Sequence, residues 1–176
     1  MAPRTPDIEL KGVGYWSDHL DSPSLIHPAR LISPEWEAED RERIVSYLRG
    51  GLMHFACLGY AACRFPDGPH GREMGCCDLT DGFWLWPEGL WIYVSRYHVR
   101  LPDEFVAHMR AVDFDPFPPE ERLAVAGSIA REVDPRLASR AIPPLEVVCS
   151  RHFWNAWTDK ERRRAEREEG LEPDTE

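Results

Sequence analysis

Residues 78 to 105, DLTDGFWLWPEGLWIYVSRYHVRLPDEF, gather three of the chain's seven tryptophans around an Asp-Gly turn and a Pro-Glu-Gly junction. This stretch restricts the fold more than any other. Asp81-Gly82 supplies the positive φ of a tight hairpin turn, so Cys76 to Leu79 and Phe83 to Trp86 read as paired antiparallel strands. Phe83 and Leu85 alternate with Trp84 and Trp86, which makes both faces apolar and marks a central, buried strand rather than an exposed stacking platform. Pro87 suits a strand-to-helix junction because it donates no N–H. Leu90, Tyr93, Val94 and Tyr97 then recur at helical spacing, and a second helical stretch restarts at Pro102 with Asp103 and Glu104 in its first turn.

Upstream, Ser33-Pro34 with Glu35 and Glu37 reads as a helix start, with the apolar side made by Trp36, Ile44, Val45, Tyr47 and Leu48. Gly50-Gly51 ends it. LMHFACLGY is apolar on both faces and reads as another buried strand, and the Gly/Pro-rich segment 64–75 as a loop. Residues 1–32 lack sustained periodicity and read as an irregular arm. Residues 113–122, DFDPFPPEER, form an acidic, Pro-rich connection, followed by a short helix through Leu123 and Val125. From Val147 the chain reads as one long helix, charged after Thr158 and projecting into solvent. The expected architecture is a single α+β domain: a small antiparallel sheet of about three strands over 52–86, packed by helices at 34–49, 87–110 and 147–165. The arm 1–32 precedes the domain at 33–158, and a charged helix end and tail at 159–176 follow it.

Composition narrows the function. No stretch approaches the roughly 18–20 consecutive apolar residues of a membrane span, and MAPRTPDIELKG lacks a secretory pattern. Five cysteines, two of them adjacent, suit free thiols in a reducing cytoplasm better than a disulfide framework. A net charge of −10 argues against nucleic acid and toward a basic protein partner. The only lysines are Lys11 and Lys160, near the ends, which disfavours lysine-dependent catalysis.

No nucleotide-binding glycine loop, nucleophile elbow or H-E-x-x-H helix is present. Cys63, His70, Cys76 and Cys77 bracket one loop, with His54 and Cys57 just before it, and this is the alternative that would make the protein a zinc-binding protein or a hydrolase. The loop lacks the C-x-x-C pair of a strong zinc signature, and adjacent cysteines rarely serve one ion. Cys63 beside Arg64 is a weaker candidate nucleophile. Asp78, Asp81 and Glu88 could pair as acid and base, but each suits a turn or a helix start. His98 and His108 suit helix ends. The acidic run is different. Asp113, Asp115, Glu120 and Glu121 surround Phe117 on a proline-stiffened segment, and these five residues form the candidate partner-binding site. No catalytic residue, metal or cofactor is assigned.

The segment LTDGFWLWPEGLWIYV…HVRLPDEFVAH, 79–108, resembles small bacterial proteins of uncharacterised function that carry an L-T-D-G-x-W-x-W-P-E-G-L core followed by L-P-x-E-F. That resemblance brings no catalytic assignment. Such proteins often place another Cys after an upstream Cys-Arg, whereas Phe65-Pro66 follows Cys63-Arg64 here. In general character (small, acidic, without an active-site signature) the chain is also similar to bacterial immunity proteins. The expectation is a non-enzymatic, acidic protein-binding protein, with toxin neutralisation its most concrete form.

Overall fold

The aromatic strand expected at the centre of the sheet is there, and the sheet around it is larger than expected. The computed structural model describes residues 8–142 and 146–170. Five strands, β1 (Ile8–Gly12), β2 (Leu52–Ala56), β3 (Cys77–Thr80), β4 (Trp84–Pro87) and β5 (Val147–Ser150), form one mixed sheet in the order β2-β3-β4-β1-β5. The three antiparallel strands read from the sequence are β2, β3 and β4. Two further strands, parallel to each other, correct that expectation: β1 pairs with β4 and β5 in parallel, with Lys11 opposite Trp84 and Leu10 opposite Cys149.

Both added strands were hidden for physical reasons. The segment expected to be an irregular arm contains Ile8–Gly12, whose burial alternates strictly and whose Ile8 and Leu10 face inward. It is five residues long, too short to announce itself beside Pro- and Asp-rich neighbours. The sequence pattern puts Val147 and Val148 at the start of the last helix, but parallel pairing with β1 claims them, and α5 (His152–Glu168) begins after Arg151. β-Branched residues suit the pleated strand better than a helix start.

The sheet also curls. In a flat five-stranded sheet, four spacings of about 4.8 Å would hold the edges about 19 Å apart. Instead, Cys149 Sγ of β5 stands 3.3 Å from His54 Nε2 of β2. The segment after Leu123 lies along the free edge of β2, where Gly127 N donates to Met53 O at 2.9 Å. Ile8, Leu10, Leu85 and Val125 pack together on one side of the sheet. The opposite side carries Trp84, Trp86 and Leu79 into the main core with Ile44, Tyr47, Leu90, Val94 and Phe105.

The helices α1 (Arg41–Gly50), α2 (Leu90–Tyr97) and α3 (Asp103–Ala111) contribute to that main core, and α5 adds Trp154, whose Nε1 donates to Tyr15 O at 2.6 Å. The short α4 (Ser128–Val133) packs Ala130 against Leu52 and Leu123. The first helix begins well after Ser33. Residues 34–40 form turns, and Glu37 has a left-handed backbone with φ 49°, which interrupts helical continuation. Arg110 holds this segment by pairing with Glu37 and Asp40. Gly51 is required for proximity rather than for a left-handed turn: a Cβ there would fall 2.6 Å from Trp86 Cζ2. The charged half of α5 is docked and does not project freely, since Glu161 is buried and paired with Arg100.

Among the described residues, Asp81 is the buried side chain with the most hydrogen-bond partners. It is 3% exposed and accepts from Phe83 N at 2.8 Å and Trp84 N at 2.6 Å through Oδ1. Its Oδ2 accepts from the Tyr47 hydroxyl of α1 and lies 2.9 Å from His108 Nε2 of α3. One turn carboxylate therefore joins the β3–β4 hairpin to two helices. Burial and the Asp81 charge hold the Tyr47 phenol far above its usual range, so it remains a donor. Asp81→Ala should lower stability by about 3 kcal/mol or more and Tyr47→Phe by about 1.5 kcal/mol, in line with hydrogen bonds to a charged acceptor. Denaturant unfolding checks both; a loss under about 0.5 kcal/mol for Asp81→Ala would contradict this role.

Candidate functional site

The acidic segment leaves α3 through an unusual backbone. Asp113 and Phe114 both have positive φ, 50° and 56°, and Phe114 N donates to Met109 O at 2.8 Å to close the helix end. Phe114 turns inward against the main core, with the Arg43 guanidinium 4.1 Å from its ring centre. Asp115 Oδ1 accepts from Phe117 N at 2.9 Å, fixing the next turn. Phe117 packs beside the Leu52–Leu123 cluster, under Arg136 at 4.4 Å, and Pro118 is buried. The aromatics thus anchor the ledge, and its carboxylates point outward.

The structure places the five candidate residues on this one ledge in two roles. Asp113 and Glu120 have side chains 94% and 84% exposed, and Asp115 and Glu121 are exposed too. Phe117 is half-buried and belongs to the anchor. Cations flank the carboxylates: Arg43 reaches Asp113 at 2.7 Å, Arg140 lies 4.0 Å from Glu120, and Arg136 over Phe117 feels the Asp115 charge. Exposed pairs of this kind contribute at most about 1 kcal/mol and exchange readily for other partners.

The Cys/His loop does not converge as a unit. Cys63 packs in the main core near Tyr93 and Tyr97, and His70 is exposed at the start of a short 3-10 turn. Cys76 and Cys77 do come together, with their sulfurs 3.8 Å apart, and Glu88 joins them. Glu88 does not sit in the first turn of α2. Its Oε2 instead accepts from Cys76 N at 3.0 Å and Cys77 N at 3.3 Å. Asp78, Asp81 and Glu88 do not share a site, because Asp81 is committed to its four donors.

Two arrangements were invisible in the sequence. His108, which looked like a helix-end residue, spends its Nε2 on Asp81 and borders a shallow cavity with Lys11, Glu104 and Arg122. Lys11 Nζ is 2.5 Å from Glu104 Oε1 and 5.1 Å from the Trp84 ring centre. The second is the pair that closes the curled sheet. His54 Nδ1 is 2.7 Å from Val125 O, so Nδ1–H donates and Nε2 faces the Cys149 thiol as an acceptor. The geometry is that of a nucleophile with its base, but the electrostatics oppose activation. Burial first and the Asp78 charge second raise the Cys149 pKa, and Arg151 only partly offsets them. A reactive thiol needs the opposite shift. This pair is a hydrogen bond across the sheet edges, and its partners lie 95 positions apart in the chain. No local spacing could have revealed it.

Asp78 lies beside the buried Tyr15 hydroxyl, near Arg151. Burial raises its pKa, while the Tyr15 hydroxyl and Arg151 pull it partly back. No helix among the described residues is long and apolar enough to cross a membrane. Comparison with protein-family models, curated proteins and solved structures finds no match.

Two outcomes follow from these shifts. Because the folded pKa of Asp78 lies above its unfolded value, its ionisation opposes folding as pH rises through that interval. Asp78→Asn should therefore have the higher Tm at pH 7, with the advantage vanishing below about pH 3.5, where both side chains are neutral. An advantage that persists at low pH would assign the effect to packing. Cys57 and Cys149 are both exposed, but partial burial of its sulfur raises the Cys149 pKa. In iodoacetamide labelling at pH 8 read by peptide mass, Cys57 should therefore react first, Cys149 more slowly, and half-buried Cys77, pushed up to about 12 chiefly by burial, last. Labelling of Cys149 ahead of Cys57 would instead reveal an activated thiol.

Proposed function

We propose that this protein is a non-catalytic binding protein whose acidic ledge, Asp113, Asp115, Glu120 and Glu121, docks onto a basic protein surface. The observation that carries the reading is the division of labour within the ledge. Phe114, Phe117 and Pro118 fix the backbone from below while four carboxylates stand in solvent above. Preorganised charge of this kind costs little ordering on association and steers an oppositely charged partner. The net charge of −10 extends the steering field beyond the ledge. The raised pKa of Cys149 also favours binding over thiol chemistry.

The partner class is a basic domain. In its most concrete form the reading is neutralisation of a bacterial toxin, in which the carboxylates cover a cationic substrate site. The general character shared with immunity proteins, small and acidic without an active-site signature, supports that form. The resembling segment supplies the scaffold: Asp81 fixes α3 through His108, and the ledge leaves the C-terminal end of α3.

Purification from the native host at low salt, followed by titration of the recovered partner, tests this. Reversing all four carboxylates (Asp113→Lys, Asp115→Lys, Glu120→Lys, Glu121→Lys) should weaken the complex by about 100-fold or more and flatten its salt dependence, as loss of several close charge pairs requires. Unchanged affinity in the reversed protein would overturn the ledge as the docking surface.

A further inference from the structure

We propose that Cys76, Cys77 and Glu88 form a binding site for a thiophilic divalent metal ion, with zinc the natural fit. The two sulfurs and a carboxylate oxygen lie within 4.8 Å of one another, and all three residues are half-buried. Two thiolates at about 2.3 Å on a tetrahedral ion stand about 3.8 Å apart. The Cys76 and Cys77 sulfurs are at that separation, 3.8 Å.

Adjacency argues against such a pair only when both residues lie in a regular strand, where successive side chains point to opposite faces. Here Cys77 opens β3, but Cys76 lies outside it, directly after Gly75, whose φ is +75°. The chain bends at Cys76, and the two sulfurs come within 3.8 Å of each other. Gly75 serves the third donor as well, since a Cβ there would fall 2.1 Å from Glu88 Oε2. The Cys76 and Cys77 amides hold that oxygen at 3.0 and 3.3 Å, so the carboxylate is oriented without the ion. Amide donation to a ligating carboxylate is the outer support that metal sites require.

Three protein donors leave a fourth position, and the same three residues line a cavity of about 250 Å³ together with Cys57, Tyr60, Met74 and Pro87. Water in that position completes a tetrahedron, and both thiols release their protons to solvent on binding. The site lies at the β2–β3 end of the sheet and is built from residues separate from the acidic ledge, so it does not rest on the binding reading.

Cobalt(II) titration of the reduced, full-length protein in a phosphine reductant tests the assignment. One Co(II) per chain should bind, giving near-ultraviolet thiolate-to-metal charge transfer and the intense visible bands of a tetrahedral ion, and Zn(II) should bleach both. Cys76→Ser and Cys77→Ser should each lose these bands while circular dichroism shows the fold retained; Cys63→Ser and Cys149→Ser should keep them. Glu88→Gln should weaken binding by about tenfold or more, at least the effect of losing an outer support. A second readout needs no variant: Zn(II) should slow the alkylation of Cys76 and leave that of Cys149 unchanged. Absence of the thiolate bands at saturating Co(II), their persistence in both cysteine variants, or their loss in Cys149→Ser would overturn the site.

Discussion

The Asp81 carboxylate is the interaction on which the rest of the structure depends. A buried charge is costly unless several donors meet it, and here four do: two turn amides, a tyrosine hydroxyl and an imidazole. Each donor fixes a different element. The amides shape the β3–β4 turn, Tyr47 sets α1 over Trp86, and His108 sets α3 over Trp84. The aromatic layer of Trp84, Trp86, Phe105 and Tyr47 then fills the space these anchors enclose. Trp86 is fully buried yet keeps its indole N–H satisfied by Leu48 O at 2.9 Å. Position in this core is specified by polar contacts and filled by apolar ones.

From that core the shape of the acidic ledge follows mechanically. Fixing α3 fixes where the chain emerges at Asp113, and the two left-handed residues there turn it sharply. Phe114 and Phe117 return to the body, so the acidic side chains between and after them have no inward direction left. A flexible acidic loop would lose much of its electrostatic advantage to ordering on association. This one has already been ordered by folding. The same principle operates at Glu88, whose carboxylate is held by two amides beside a pair of thiols.

Local signals in the sequence were legible where they came from short-range geometry. The Asp-Gly hairpin, the central aromatic strand, the start of α3 at Pro102 and the Pro-rich acidic segment all follow from residues within a few positions of each other. What was illegible depends on distant partners. β1 becomes a strand because β4 and β5 flank it, and β5 because β1 does. Residues 34–40 are not helical because Arg110, some seventy positions away, holds Glu37 and Asp40. Asp81 keeps the turn role its sequence suggests, through Phe83 N and Trp84 N, but also binds Tyr47 and His108 of two helices. Glu88 accepts from the Cys76 and Cys77 amides instead of serving a helix start. The loop cysteines illustrate both cases: Cys76 and Cys77 meet through a local turn, whereas Cys63 is drawn away into the core.

The central claim is that the acidic ledge is a rigid docking surface. Amide hydrogen exchange, compared between the free protein and its complex with the partner recovered from the host, tests it most directly. The account predicts slowed exchange on binding across residues 113–122 and no change around Cys76, Cys77 and Glu88. Protection confined to other surfaces, with residues 113–122 exchanging as fast in the complex as in the free protein, would contradict it.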